Sequence, residues 1–182
     1  MRIAEIFIIA ALATSGLLYA QPPQDEGLIG TKDGLSQGMV HTILQDSKGF
    51  LWIGTKDGLN RFDGYRLRVY NSSPEDSFSL AGHVVNTLHE DAHHNIWVGT
   101  ENNGISIFSP YTGKFHHISS PASGLPSNEI ISFVQQNDST YWAGTRMGLC
   151  RLTASFTSVS RMATASLSEH VRARSVDLGG QA

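Results

Sequence analysis

Short apolar runs and turn residues alternate along the chain in a pattern typical of an all-β protein. Between residues 40 and 70, four apolar runs of four to six residues are separated by turns rich in aspartate and glycine. The last run, residues 65–70, alternates apolar residues with arginines, which indicates a strand with one face in water. Aspartate and glycine favour tight turns, because aspartate accepts hydrogen bonds from nearby backbone amides and glycine takes a positive φ. The pattern predicts a four-stranded antiparallel sheet.

The same pattern occurs three times. Trp52, Trp97 and Trp142 are 45 residues apart, and each is followed by a glycine–threonine pair two residues later. The second copy has one additional residue in the turn after this pair. Four strands in a repeat of about 45 residues are typical of a β-propeller blade. We therefore predict an all-β fold: a partial β-propeller of three four-stranded antiparallel blades, preceded by a signal-peptide helix.

The residues that define the repeat are interpreted as structural. The tryptophans are expected to fill the space between neighbouring sheets, where a buried aromatic ring removes about 150–250 Å² from water. The glycines before threonine allow another part of the chain to approach closely, and the remaining glycines and aspartates suit turns. These repeat-signature residues are Asp46, Gly49, Trp52, Gly54, Thr55, Gly58, Asp91, Trp97, Gly99, Thr100, Gly104, Trp142, Gly144, Thr145 and Gly148.

The first twenty residues have the features of a secretory signal peptide. A weakly basic start is followed by an apolar run from Ile6 to Leu18, which is too short to span a bilayer comfortably. The predicted cleavage site lies between Ala20 and Gln21, and residues 21–28 form a polar linker. An uncleaved anchor is the alternative. Both interpretations place the rest of the chain outside the cytoplasm.

The repeat predicts blades at about residues 29–72, 73–119 and 120–152. Residues 153–182 depart from it, because they are rich in serine, alanine and arginine and contain Phe156 as their only aromatic residue. Closed propellers need about four to eight blades. We therefore predict a non-repeat tail that is disordered or that results from a truncation or frameshift near residue 153.

A seven-residue echo does not fit this register. Residues 29–35 are identical to residues 53–59, at a spacing of 24. In the 45-residue register Leu35 corresponds to Leu80 and not to Leu59. We interpret the echo as chance or as a reused turn.

Charge and composition narrow the class of function. The net charge of −3 gives no electrostatic case for binding nucleic acid. Cys150 is the only cysteine, so an intrachain disulfide is excluded and a buried apolar role is expected. The adjacent pairs His93–His94 and His116–His117 would point to opposite faces of a strand, which disfavours a shared metal. We expect no catalytic residue, metal site or cofactor.

Aromatic and basic residues of the first copy are the candidates for contact with sugars, and solvated surface is the competing interpretation. They lie near predicted strand ends or on an exposed face. They are Lys56, Arg61, Tyr65, Arg66, Arg68 and Tyr70. The ligand-binding residues themselves stay unassigned.

The first copy resembles the two-component regulator propeller repeat. The resemblance covers about residues 29–152 and is most specific in residues 34–37 and 45–65. The second copy keeps Asp91 and Trp97 with its glycine–threonine pair. The third copy keeps residues 124–126 and Trp142.

This resemblance implies the periplasmic sensor region of a bacterial hybrid histidine kinase. In that family, propellers precede an immunoglobulin-like domain, a transmembrane helix and cytoplasmic signalling domains, and many members sense oligosaccharides released from glycans. The implied function is extracytoplasmic ligand sensing for a phosphorelay, by an N-terminal fragment that faces the periplasm from the inner membrane. Implied partners are an oligosaccharide, the remaining blades and kinase domains, and a second copy of the full-length sensor.

Two other classes of function remain open for such a chain. An exported propeller enzyme acting on glycans would need convergent acidic, histidine or tyrosine residues on one face. A propeller scaffold that binds proteins would need exposed apolar patches. The sensor interpretation predicts that the chain itself is not an enzyme.

Overall fold

The computed structural model describes residues 28–153 and the backbone of residues 159–161. It contains three four-stranded antiparallel sheets and one 3-10 turn at Thr31–Asp33. The predicted all-β architecture of three four-stranded blades is confirmed. Within this part of the chain no helix has the length and apolar character needed to cross a membrane. The predicted signal peptide and its cleavage site at Ala20 and Gln21 lie outside the described residues.

Each sheet is built from consecutive strands of one repeat. The first blade consists of β1 (Val40–Gln45), β2 (Leu51–Thr55), β3 (Gly58–Phe62) and β4 (Leu67–Tyr70). The second blade consists of β5 (Val85–Glu90), β6 (Ile96–Thr100), β7 (Ile105–Ser109) and β8 (Lys114–Ile118). The third blade consists of β9 (Ile130–Asn137), β10 (Thr140–Thr145), β11 (Gly148–Thr153) and β12 (Val159–Arg161).

Strand register is the same in all three blades. Each tryptophan lies on the second strand of its blade and opposes a residue of the first strand, in the pairs Leu44–Trp52, His89–Trp97 and Val134–Trp142. The first strands β1, β5 and β9 contact one another in order. They therefore mark the inner side, where the blades converge, and β4 and β8 mark the outer edge.

The third blade extends beyond its predicted end at residue 152. Strand β11 runs to Thr153, and β12 pairs antiparallel with it, so that Leu152 opposes Val159. Residues 159–161 thus contribute a strand from the segment predicted to be a non-repeat tail. An edge strand can be held by backbone hydrogen bonds on one side alone, so it need not carry the apolar pattern of the repeat. The rest of that segment lies outside the described residues.

Two apolar clusters fill the spaces between blades. The first interface, between blades 1 and 2, buries Trp52, Leu59, Tyr70, Leu80, Val85, Ile96, Val98, Phe108 and Phe115. The second interface, between blades 2 and 3, buries Trp97, Ile105, Ile107, Ile118, Leu125, Ile130, Tyr141, Ala143, Cys150 and Leu152. Each large side chain buried in this way contributes about 1.5–3 kcal/mol. The blades are therefore held together chiefly by apolar contact between their sheets.

Candidate functional site

An aspartate, a turn and a tryptophan form one hydrogen-bonded unit in the first blade. Asp46 Oδ1 accepts hydrogen bonds from the backbone N–H groups of Lys48 and Phe50 at 3.0 and 2.9 Å. Asp46 Oδ2 accepts one from Trp52 Nε1 at 2.7 Å. One carboxylate thus closes the β1–β2 turn and satisfies the indole of the first interface.

The second blade repeats this unit, and the third blade repeats its bond to tryptophan. Asp91 accepts from the backbone N–H of His93 and Asn95 at 2.8 and 2.9 Å, and from Trp97 Nε1 at 2.9 Å. In the third blade the amide oxygen of Gln136 accepts from Trp142 Nε1 at 2.9 Å. The sequence analysis assigned the aspartates to turns and missed their bonds to tryptophan. The sequence does contain a signal for these bonds, because the acceptor residue precedes the tryptophan by six residues in every copy of the repeat.

The signature threonines cap the hairpin that follows the second strand. Thr55 Oγ1 donates to the carbonyl of Gly58 at 3.1 Å and accepts from the N–H of Asp57 at 3.0 Å. Thr100 and Thr145 donate to the carbonyls of Gly104 and Gly148 at 2.8 and 2.7 Å. The three glycines have φ of 109°, 77° and 120°, a region that side chains rarely adopt.

The glycines before these threonines lie where neighbouring atoms leave no room for a side chain. A Cβ at Gly54 would lie 2.5 Å from Val85 Cγ1 of the next blade and 2.6 Å from Thr42 Cγ2. A Cβ at Gly99 would lie 2.7 Å from Ile130 Cγ2 of the third blade. At Gly144 it would lie 2.6 Å from Ser132 Oγ. Gly49, in the β1–β2 turn, has a φ of 88° and no neighbour this close.

Two of the six candidate ligand-binding residues meet in a cleft of about 240 Å³ at the outer edge of the first interface. Strand β4, the connection from β4 to β5, and the beginning of β8 form its walls. The cleft is lined by Arg68, Tyr70, Asn71, Asp76, Phe78, Ser79, Leu80, Gly113 and Phe115. Phe115 N–H donates to the Phe78 carbonyl at 2.9 Å, which fixes the connection against β8.

Two cationic side chains lie close to aromatic rings that line this cleft. The guanidinium of Arg68 lies 5.0 Å from the centre of the Tyr70 ring, and Lys114 Nζ lies 4.2 Å from that of Phe78. The buried Tyr70 hydroxyl has no hydrogen-bond partner. Burial raises the pKa of Tyr70 above its usual value, against the opposing charges of Arg61 and Arg68, so the phenol is neutral at physiological pH.

The other four candidates lie elsewhere. Arg61 is half-buried, with its guanidinium 4.6 Å from the centre of the Phe50 ring. Lys56 and Arg66 are exposed, and 93% of the Tyr65 surface is accessible to solvent. The structure therefore brings Arg68 and Tyr70 together with polar residues of the β4–β5 connection, which the sequence analysis did not single out.

A cluster of three polar residues on the rim of the first interface links blade 1 to blade 2 through hydrogen bonds. Ser47 donates to Glu90 through its backbone N–H at 2.7 Å and its hydroxyl at 2.6 Å. His94 Nδ1 lies 3.0 Å from Glu90 Oε1. Burial acts to raise the pKa of Glu90, but the bonds with Ser47 and His94 outweigh it, so the pKa lies below its usual value. We call Ser47, Glu90 and His94 the rim clasp.

Cys150 is fully buried in the second interface. Burial raises the pKa of its thiol to about 11, so the thiol is protonated at neutral pH. Its Sγ lies 3.7 Å from the carbonyl oxygen of Ala143 on the neighbouring strand. This environment suits a small apolar side chain. Within residues 28–153, no three histidine, cysteine or acidic side chains converge in a way that could hold a metal ion.

Comparison with known proteins identifies the repeat. The two-component regulator propeller family matches residues 34–57 and 79–102, which cover the first two signature turns and tryptophans. The protein named Histidine kinase P4 from Formosa agariphila is 55% identical over 49 residues, which are 27% of this chain and 4% of that protein.

Solved structures show the same fold. The extracellular domain of BT3049 from B. thetaiotaomicron, which is named as a hybrid two component system, matches with a TM-score of 0.70 and 26% identity. The match covers 76% of this chain and 20% of that one. PorZ of Porphyromonas gingivalis, named as a component of the type-IX secretion system, shares the fold at a TM-score of 0.50 and 18% identity, over 60% of this chain and 17% of PorZ.

The chain spans only a small part of these proteins, from 4% of the kinase to 20% of the BT3049 domain. Within that part, sequence identity, family match and fold agree. The chain therefore carries repeats of the two-component regulator propeller family, at residues 34–57 and 79–102.

Proposed function

We propose that these blades are part of the extracytoplasmic ligand-sensing region of a hybrid two-component sensor, in the periplasm, and that the ligand is an oligosaccharide. The observation that carries the proposal is the structural match to the extracellular domain of BT3049 over 76% of this chain. The 49-residue match to Histidine kinase P4 supports the same class of protein. Phosphotransfer belongs, in this proposal, to other domains of a longer sensor.

The cleft on the first interface is the proposed ligand contact. Arg68 can donate hydrogen bonds, and Asp76 can accept them. The partly exposed ring of Phe78 lies beside them. A sugar unit presents hydroxyl groups around a partly apolar ring face, so it matches this mixture of polar groups and aromatic surface.

Signalling requires that the ligand distinguish two states. The cleft has one wall on each of two blades, so a ligand bound there contacts both β4 and β8. A change in the relative position of the two blades would alter those contacts, and the ligand would favour the state in which it contacts both walls.

The proposal is tested by isothermal titration calorimetry, which measures the binding of a panel of oligosaccharides to the chain. We expect Arg68→Ala to weaken binding of the best ligand about tenfold or more, which corresponds to about 1.4 kcal/mol. Arg66→Ala is the matched control, since Arg66 is an exposed arginine of the same blade outside the cleft. Equal loss in both variants would contradict the assignment of the cleft.

Chemical analysis of the oligosaccharide in the same samples distinguishes a sensor from an enzyme. The sensor proposal predicts that the bound oligosaccharide is recovered unchanged. Appearance of new reducing ends or unsaturated sugar products, without added enzyme, would contradict it and support an exported glycan-acting enzyme.

A further inference from the structure

Two arginines of blade 1 oppose each other beside the cleft. Arg61 on β3 and Arg68 on β4 are direct cross-strand partners, and Arg61 also opposes Trp52, which packs into the first interface. All three side chains therefore lie on the face toward blade 2, where like charges on opposed residues repel each other. Among the described residues, neither guanidinium forms an ion pair. The Asp63 carboxylate accepts hydrogen bonds from backbone N–H groups of its own turn, so the two positive charges lack an ion-paired carboxylate.

Polar atoms of the same cluster are buried without a hydrogen-bond partner. Tyr70 follows Arg68 on the same face of β4 and is only 9% exposed, and its hydroxyl has no partner in the described chain. The Nε atom of Arg61 is likewise buried and unpartnered there. Native proteins leave few buried donors unsatisfied, because each one reduces stability, and a bound ligand is one way of satisfying them. The cluster therefore contains buried donors that a ligand with acceptor groups would satisfy.

Blade 2 shows that the fold does not require polar residues at these positions. Relative to the tryptophan and the hairpin of its blade, Arg61 occupies the position of Ile107. Tyr70 occupies that of Ile118. Both isoleucines are buried in the second interface. Packing between blades is thus satisfied by apolar side chains, and the donors of blade 1 need another explanation.

We propose that Arg61, Arg68 and the Tyr70 hydroxyl bind the negatively charged group of an acidic oligosaccharide. The group is a carboxylate, as in a uronic acid, or a sulfate ester. A guanidinium donates two parallel hydrogen bonds to the oxygens of such a group, and the phenol donates a further one. The inference rests on the proposed function, since it names the class of ligand that enters the same cleft.

The groups around the cluster fit such a ligand. Lys114 adds a positive charge from the blade 2 side, where its Nζ lies 4.2 Å from the centre of the Phe78 ring. The cleft wall also contains the carboxylate of Asp76, whose Oδ1 accepts from the Phe78 N–H at 2.9 Å. The other oxygen of Asp76 can accept from a sugar hydroxyl. Burial raises the pKa of Tyr70, so its phenol stays protonated and donates to the anion.

Inorganic sulfate tests the anion site without any sugar. In heteronuclear NMR of the full chain at neutral pH, sulfate is expected to cause saturable shifts at residues 61, 68 and 70. Tyr70→Phe and Arg61→Ile should each weaken this binding about tenfold or more.

Both variants should remain folded, with an unfolding temperature equal to or above that of the unmodified chain. Tyr70→Phe retains the ring, and Arg61→Ile introduces the residue that blade 2 carries at this position. Arg66→Ala is the control and should bind sulfate as the unmodified chain does, since Arg66 is exposed and lies outside the cleft. Absence of saturable shifts at the three residues, or equal binding by all variants, would overturn the proposal.

Paired oligosaccharides identify the source of the charge. Calorimetry compares trigalacturonate with its methyl ester, and sulfated neocarrabiose with its desulfated form. The charged member of at least one pair is expected to bind about tenfold or more tightly than the neutral member, and Arg61→Ile should abolish the difference. Binding of neutral sugars alone, or equal binding within each pair, would overturn the acidic ligand and leave the sensing proposal intact. Binding of sulfate without any oligosaccharide would contradict the proposed function and, with it, the ligand named here.

Discussion

At the scale of single residues, the carboxylate that joins a turn to a tryptophan is central to each interface. Asp91 holds the β5–β6 turn and the buried indole of Trp97 at the same time. The third blade, with Gln136 in this position, keeps the bond to the indole through an amide oxygen. The indole therefore requires an acceptor and not specifically a charge.

Asp91→Ala is expected to reduce the free energy of unfolding by about 1–3 kcal/mol, because the buried indole N–H loses its acceptor. Asp91→Asn should cost less, since it retains an acceptor. Asp63→Ala is the control: Asp63 caps an exposed turn through the N–H groups of Tyr65 and Arg66, which water can satisfy after the change. Urea denaturation measures all three. Equal losses for Asp91→Ala and Asp63→Ala would contradict the role of the indole bond.

The rim clasp makes stability depend on pH. The pKa of Glu90 lies below its usual value of 4.5 in the folded chain. Its contribution is therefore fully present above about pH 4.5 and is lost as the pH falls through the folded pKa. Between pH 6 and pH 3, Glu90→Gln is expected to lose less stability than the unmodified chain. The exposed Glu75→Gln is the control, and a pH profile of Glu90→Gln identical to that of the unmodified chain would be inconsistent with the clasp.

At the scale of elements, the repeat determines where strands and turns lie, because every blade must place its tryptophan and hairpin in the same register. The strands, their order and the packing of Trp52 and Trp97 at the two interfaces follow from that pattern. Trp142 is half-buried and belongs to neither interface. Strand β12 does not, since it pairs through the backbone of β11 and its sequence has no counterpart in the other blades. The cleft could not be predicted from the sequence either, because the β4–β5 connection that lines it carries no repeated motif.

The seven-residue echo shows why local sequence is not sufficient. Residues 53–59 form the end of β2, a tight turn and the start of β3, whereas the identical residues 29–35 include the 3-10 turn Thr31–Asp33. Gly58 and Gly34 both have a positive φ, of 109° and 101°. The backbone preference of the glycine is thus retained, and strand formation depends on β1 being available to pair with residues 53–55.

Close approach between blades makes Gly54 intolerant of a side chain. Gly54→Ala is expected to cost about 1–3 kcal/mol, since its Cβ would meet Val85 of the next blade. Gly38→Ala is the matched control, because no atom lies within 4 Å of a Cβ at that position and its φ is not positive. Thermal unfolding of both variants checks this. A loss at Gly38 as large as that at Gly54 would argue against inter-blade contact as the cause.

At the scale of the whole molecule, two extended apolar interfaces connect the three described blades, and a polar cleft opens on the first of them. The interfaces explain how the repeat folds, and the cleft is the surface proposed to contact a ligand. The proposed sensing role is supported by the relatives as well as by the geometry, since the signature residues themselves serve packing and turns.

Hydrogen–deuterium exchange of the purified chain with an oligosaccharide panel tests the sensing role most directly. The account predicts that at least one oligosaccharide slows exchange in residues 68–80 and 113–115, and that this oligosaccharide is recovered chemically unchanged. Slowed exchange confined to other segments, no change with any oligosaccharide, or conversion of the bound sugar would contradict it.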